Sequence, residues 1–174
     1  MNATLESPTL ASASASASAC AAPSRGAGFD RVHLGGWVRR PLALDALALA
    51  AFDPVSITDF VVVCTFDGAH GGPRPLRAVP LRKLIEATGP AFVQRTDFKR
   101  VAIVAESHEG YRALFSWNEV FNSVVGDGVV VAWDCPEVPL PDPAGPFALV
   151  SLYDRATGPR FVQRLASVDL HKLW

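Results

Sequence analysis

The stretch that decides the fold is ITDFVVVCTFDGAHGG, Ile57–Gly72, in which an apolar β-branched run ends on Cys64 and gives way to a polar, glycine-rich segment. The apolar, β-branched character of this run favours a strand buried on both faces. Gly68, Gly71 and Gly72 with Pro73 then predict a loop. The sequence leaves two uses open for Cys64. A free thiol is commonly a small core side chain, but a thiol at a strand end beside a flexible loop is also well placed to hold a soft ligand.

Strand and helix signals succeed one another on either side. HLGGWVRRPLAL predicts a strand that starts on a glycine pair and closes at Pro41, and DALALAAF a short helix with Asp45 in its first turn, where the helix dipole favours an acid. VPLRKLIEATG predicts the clearest helix, with Pro80 in its first turn, apolar residues at Leu81, Leu84 and Ile85, and Gly89 at the C-terminal cap. RVAIVAES and GVVVAWD predict strands; in SWNEVFNSV, Ser116 and Glu119 have the spacing of a capping box. Five prolines within residues 135–146 predict an extended, non-helical connection. FALVSLYD and RFVQRLASVDL, separated by RATGP, predict the last hairpin. Strands outnumber helices without regular alternation, so the fold class is α+β, mainly β, with a few short helices.

Composition bounds the function. The chain has 174 residues, 49% apolar and 19% charged, with a formal net charge of −1. That is a globular composition without the basic excess of a general nucleic-acid binder. Residues 1–28 are Ala/Ser-rich and offer few bulky side chains to offset their ordering entropy, so a disordered tail is expected there and one domain over 29–174. No Lys or Arg precedes Arg25 and serines interrupt the alanines, which is unlike a signal peptide; cytoplasmic placement is the expectation. No apolar run reaches the ~20 residues of a membrane span. Cys20, Cys64 and Cys135 form no CxxC pair and no disulfide framework. GAHGG is no phosphate loop, as no GK(S/T) follows it.

In order along the chain, GWVRRPLALDAL, VVVC, AVPLRKLI, EGYRALFSWNEV and AGPFALVSLYDRATGPRFVQRL resemble five successive motifs of the sulfite oxidase-type molybdopterin-binding domain. The resemblance spans roughly Gly35 to Leu170 and points to a small stand-alone member of that family. It implies a sulfite oxidase-like fold and an oxidoreductase in which a molybdenum-molybdopterin cofactor is held by one cysteine thiolate, here Cys64. That cofactor would perform oxygen-atom and electron transfer on a small molecule or oxyanion, with an electron-transfer protein as a possible partner. By position, Tyr111 matches the tyrosine of the family's DGY segment and joins Cys64 as a catalytic candidate, while Arg39, His70, His108, Arg160 and Arg164 are candidates for holding the cofactor. Guanidinium groups suit its phosphate because they donate in a fork. Arg40, Arg74, Arg77 and Arg155 lie in segments that would border the same pocket, and Asp67 and Glu109 are acid/base candidates by location alone.

The chain departs from the family pattern at several points. Leu76 and Ala78 stand where the family has Trp-x-Gly, the Asn and Arg that often follow the cysteine are absent, and Gln163-Arg164 replaces the closing Lys-Trp. Those departures favour an alternative: a cofactor-free member of the same fold that binds a small ligand or a protein.

Overall fold

The computed structural model describes residues 29–134, Leu140 and residues 145–174. The expected tail over 1–28, Cys20, Cys135 and most of the proline-rich connection lie outside the described residues. Among the described residues, ten strands form two five-stranded sheets. In the first, the order is β2 (Leu42–Leu44), β1 (Val32–Gly36), β10 (Leu165–Lys172), β5 (Val101–Ser107), β6 (Arg112–Ser116). In the second it is β3 (Val55–Cys64), β4 (Gly68–Pro80), β7 (Val129–Trp133), β8 (Phe147–Ser151), β9 (Val162–Gln163). All pairings are antiparallel except β1 with β10. This is an α+β fold dominated by strands, as the residue pattern predicts.

The sheets pack through their alternating apolar faces. Val32, Leu34, Ile103, Phe115 and Val168 of the first sheet share a core with Val129, Val131, Leu149 and Val162 of the second. Fully burying each such side chain stabilises by about 1.5–3 kcal/mol before entropy is counted. Helix α2 (Leu81–Thr88) adds Leu81, Leu84 and Ile85 to that core, and Gly89 caps it in the left-handed region at φ 63°. Pro80 precedes the helix as its N-cap and is not in the first turn. Helix α1 (Ala46–Ala50) likewise has Asp45 as N-cap, its carboxylate accepting from the Ala48 N–H at 2.8 Å. The capping box of α3 (Trp117–Asn122) is complete, with Ser116 and Glu119 bonding each other's backbone N–H.

The structure overturns three local expectations. HLGGWVRRPLAL makes two strands: the glycine pair ends β1 and Pro41 precedes β2. At Gly36, with φ 77°, a Cβ would come within 2.2 Å of the Leu170 carbonyl oxygen, so the turn out of β1 requires glycine. The run ending at Cys64 is not buried on both faces: β3 is an edge strand whose only fully buried side chain is Phe60. GAHGGPRP is not a loop but the first part of β4, paired with β3 from Cys64–Gly68 to Val55–Ala78. Its glycines and prolines carry no β-preference of their own; the strong preference of β3 supplies the ladder.

The predicted last hairpin forms as β8 and β9, but β9 is only two residues long. At Arg164, held at φ 48°, the chain leaves the second sheet and enters the first as β10.

The second sheet is strongly coiled. Its edge strands β3 and β9 are farthest apart in the strand order, yet the rings of Phe60 and Phe161 lie 5.5 Å apart at 64°. With Leu76, Ala78, Val130, Ala132, Ala148 and Val150 they form a second core inside the curl.

Candidate functional site

A cleft of about 330 Å³ opens at the mouth of this curl, lined by Phe60, Val62, Cys64, His70, Gly72, Arg74, Phe161 and Gln163. Phe60, Val62 and Cys64 are spaced by two along β3 and share one face. His70, Gly72 and Arg74 reach the same cleft from β4 across a register shift, in which Gly71 stands at φ 75°. Register places Arg74 opposite Phe60 and His70 opposite Val62. The floor is aromatic, with Phe60 and Phe161 only 4% and 8% exposed. The rim carries the Arg74 guanidinium and the His70 imidazole, both on exposed residues, and among the described residues no carboxylate lines the cleft. Among the described residues Arg74 has no ion-pair partner.

A strap, residues 154–160, closes the curl by bonding to the edge of β3. The Thr157 hydroxyl accepts from the Val63 N–H at 2.9 Å and donates to the Val61 carbonyl at 2.8 Å, replacing one rung of a missing neighbouring strand. Gly158 follows directly against Cys64: a Cβ there would lie 3.3 Å from the Cys64 sulfur and 3.1 Å from the Val63 carbonyl oxygen. Half-buried Cys64 thus has its thiol between the cleft and the strap.

Of the candidate residues, the structure brings together Cys64 and His70 in the cleft wall. The rest are placed elsewhere. Arg160 is forked onto Asp154 and also donates to Glu119 at 3.0 Å, with its guanidinium 4.4 Å from the centre of the Phe115 ring. Asp154 holds the Arg160 pKa above its ordinary value against the opposing effect of burial, and Glu119 adds to this. Burial pushes the Glu119 carboxyl up, but the Ser116 N–H and hydroxyl together with Arg160 outweigh it and hold the group below its usual range. Arg164 donates to Glu109 at 2.6 Å and depresses that carboxyl. The exposed Arg39 donates its backbone N–H to the Gly89 carbonyl, its stem packed beside the cap of α2. His108 stacks edge-on against Phe29 at 4.4 Å. The Tyr111 hydroxyl donates to the Pro159 carbonyl at 2.5 Å, so it braces the strap and does not line the cleft. Of the other basic residues, Arg40 donates to the Ala87 carbonyl, Arg77 lies over Trp133, and Arg155 is exposed on the strap.

Two residues important to the site escape sequence reasoning. Phe161 enters the cleft floor from a segment about a hundred positions beyond β3, and Thr157 shows no local signal of its bond to a distant strand. Phe60 was legible in principle from its alternation with Val62 and Cys64.

A molybdenum pterin would need a thiolate and a set of cations for its phosphate. Cys64 supplies a thiol at the right kind of position, but Arg160 and Arg164 are paired with carboxylates and Arg39 lies outside the cleft lining. Among the described residues no cluster of three or more His, Cys, Asp or Glu side chains is arranged to hold a metal ion. Of the residues that the resemblance assigns to the cofactor, Cys64 and His70 reach the cleft, while Arg39, Arg160 and Arg164 do not line it. Among the described residues, too, no helix is long and apolar enough to cross a membrane.

The chain matches no protein-family model and no curated protein. Its structure is similar to that of the sulfane dehydrogenase SoxCD from Paracoccus pantotrophus, with a TM-score of 0.63 at 17% sequence identity over 86% of this chain. The chain spans 40% of the length of that protein. The similarity is one of fold, and it agrees with the sulfite oxidase-like molybdopterin-binding architecture that the sequence motifs imply.

Proposed function

We propose that this chain is a binding module for a small organic anion, built on the sulfite oxidase-like fold without its molybdenum cofactor. The observation that carries this reading is the cleft itself: a buried aromatic floor, a rim with one unpaired arginine and no acidic side chain in its lining, among the described residues. Its volume falls at the small end of ligand pockets, ~300–1,000 Å³. Arg74 supplies a forked donor for a carboxylate or similar group, and the half-buried Val62 and Cys64 of the β3 wall supply apolar area for the ligand's body. Arg160, the cation nearest in sequence to the cleft floor, is neutralised by two carboxylates and serves the strap. Cys64 contributes a wall, and its substitution to serine is expected to leave the fold intact.

The test is expression of the full chain in a host that makes molybdenum cofactor. Elemental analysis and fluorescence of released pterin would be followed by thermal-shift screening against small carboxylates, sulfonates and phosphate esters. The expected result is folded protein without stoichiometric molybdenum or pterin, stabilised by anions in an Arg74-dependent manner. Near-stoichiometric molybdenum that disappears in Cys64→Ser would overturn the proposal and establish the oxidoreductase reading instead.

A further inference from the structure

We infer that a basic face at one end of the first sheet docks an acidic peptide segment with an apolar anchor, away from the cleft. Three segments of the chain are bonded together there. The Trp37 N–H donates to the Leu170 carbonyl at 2.7 Å, the Ala91 N–H to the Trp37 carbonyl at 3.1 Å, and the Leu173 N–H to the Arg100 carbonyl at 2.8 Å. Residues 37–40, 91–100 and 170–174 hold six of the chain's 16 lysines and arginines: Arg39, Arg40, Arg95, Lys99, Arg100 and Lys172. They hold one acidic side chain, Asp97, in a chain whose net charge is −1, so positive charge is concentrated on these segments. Asp97 offers no carboxylate to a partner, because it is buried and accepts from the Val93 and Gln94 N–H groups at 2.8 Å. Lys172 and Arg100 add to the effect of those N–H groups in lowering its pKa, so both cations stand near it. Among the described residues none of the six cations forms an ion pair, and none lines the cleft.

Apolar surface lies among these charges. Val93 is 90% exposed, Leu173 and Trp174 are exposed as well, and the half-buried rings of Trp37 and Phe92 meet at 5.5 Å. The complement of such a face is a segment whose carboxylates meet the unpaired cations while an apolar residue among them covers Val93 and its neighbours. Single-stranded nucleic acid fits less well, since it stacks successive bases on successive open rings. Here the Lys172 ammonium sits over the Trp37 ring at 4.9 Å, and Trp117 stacks on Phe121 at 3.8 Å with Phe92 edge-on. Among the described residues of this face that leaves Trp174 as a single open platform. A lipid surface is characteristically met by an amphipathic helix, whereas the only helical turn in these three segments is the four-residue 3-10 turn Asp97–Arg100.

The experiment is fluorescence anisotropy of the full chain with a short fluorescein-labelled peptide of Asp and Glu around a central Leu-Phe pair. Phosphatidylserine vesicles and oligo-dT are titrated in parallel. The expected result is saturable peptide binding that weakens as salt is raised. It should fall about tenfold in the double variant Arg95→Glu/Lys99→Glu, which reverses two charges on exposed residues. An unchanged circular dichroism spectrum and melting temperature would verify that this variant folds. Replacing Leu-Phe by Ser-Ser in the peptide should cost several-fold in affinity. Arg74→Gln should leave peptide binding at the wild-type level, so failure of this face and failure of the cleft reading are distinguishable. Absence of saturable binding, indifference to the double variant, or equal affinity for the Ser-Ser peptide would each overturn the proposal. Tighter binding of vesicles or of oligo-dT, lost in the same double variant, would overturn it in favour of a lipid or nucleic-acid surface.

Discussion

Thr157→Val tests whether the strap holds the coiled sheet closed. The substitution preserves shape but removes the hydroxyl, which both accepts from Val63 N–H and donates to Val61 C=O at 2.9 and 2.8 Å. Thr157 is 7% exposed, so the replacement methyl keeps its packing while two backbone groups of the β3 edge lose their partner. Each such bond is worth about 1 kcal/mol net, more where the abandoned group stays dry. Val61 and Val63 are only half-buried and regain some water, which places the total at about 2 kcal/mol. With a urea dependence of about 2 kcal/mol per M for a domain of this size, the unfolding midpoint should fall by about 1 M. Amide exchange at Val63 should accelerate more than at the central strand β7. Thr157→Ser keeps both bonds and should retain most of the midpoint and the Val63 protection. A Thr157→Val midpoint within about 0.25 M of wild type, with unchanged exchange at Val63, would refute the latch.

Three further outcomes follow from the same geometry. Arg160→Lys keeps the charge but cannot fork onto Asp154 while reaching Glu119, and should cost about 2 kcal/mol in urea unfolding because Asp154 is left partly unpaired in a 13%-exposed position; a loss below about 0.5 kcal/mol would show the network to be incidental. The N–H groups of Gln94 and Val93 hold the buried Asp97 carboxyl below the usual carboxylate range, with burial opposing them. Its folded pKa therefore lies under its unfolded value, so its contribution is present above about pH 4 and is lost as pH falls through the folded value. Between about pH 5 and pH 3 the wild-type midpoint should drop more than that of Asp97→Asn, and parallel curves would contradict the assignment. At Gly126 a Cβ would stand 1.9 Å from the Val120 carbonyl oxygen at the end of α3; Gly126→Ala should cost about 3 kcal/mol or more, read as a collapse of soluble yield or of melting temperature.

What could be read from the sequence was local. The α3 capping box and the α2 helix with its glycine cap depend on residues three to eight positions apart, and both form as expected. The valine run reports β-preference but cannot report which faces a neighbour will cover. In β3 the sheet curl takes one face, and on its free edge the strap bonds the Val61 and Val63 backbone. GAHGGPRP reads as a loop because a strand there is imposed by its partner and not by its own residues. The site divides in the same way. Cys64 and His70 lie close in sequence, and both reach the cleft wall. Arg160 is noticeable as a cation near the end of the chain, but the carboxylate on Glu119 that helps to occupy it is 41 residues away. Phe161 became a cleft residue only because the sheet coils on itself.

The strap connects these facts physically. Arg160 ties it to α3 and lies against Phe115 of the first sheet, Tyr111 braces Pro159 from the same side, and Thr157 with Gly158 presses it onto β3. The next residue, Phe161, is delivered into the cleft floor. The position of the floor is therefore set by contacts outside the cleft: neutral hydrogen bonds and packing, with one partly buried ion-pair network at Arg160 that salt screens weakly. The ligand's anchor is the opposite case: Arg74 is exposed, and its attraction for an anion fades at distances beyond the ~8 Å screening length of physiological salt. A cleft built this way keeps its shape while its affinity follows ionic strength. That division also explains why the cation closest in sequence to the floor is not the one available to a ligand. If the Arg160 guanidinium turned into the cleft, Asp154 and Glu119 would be left unpaired, and the strap that positions Phe161 would lose its anchor.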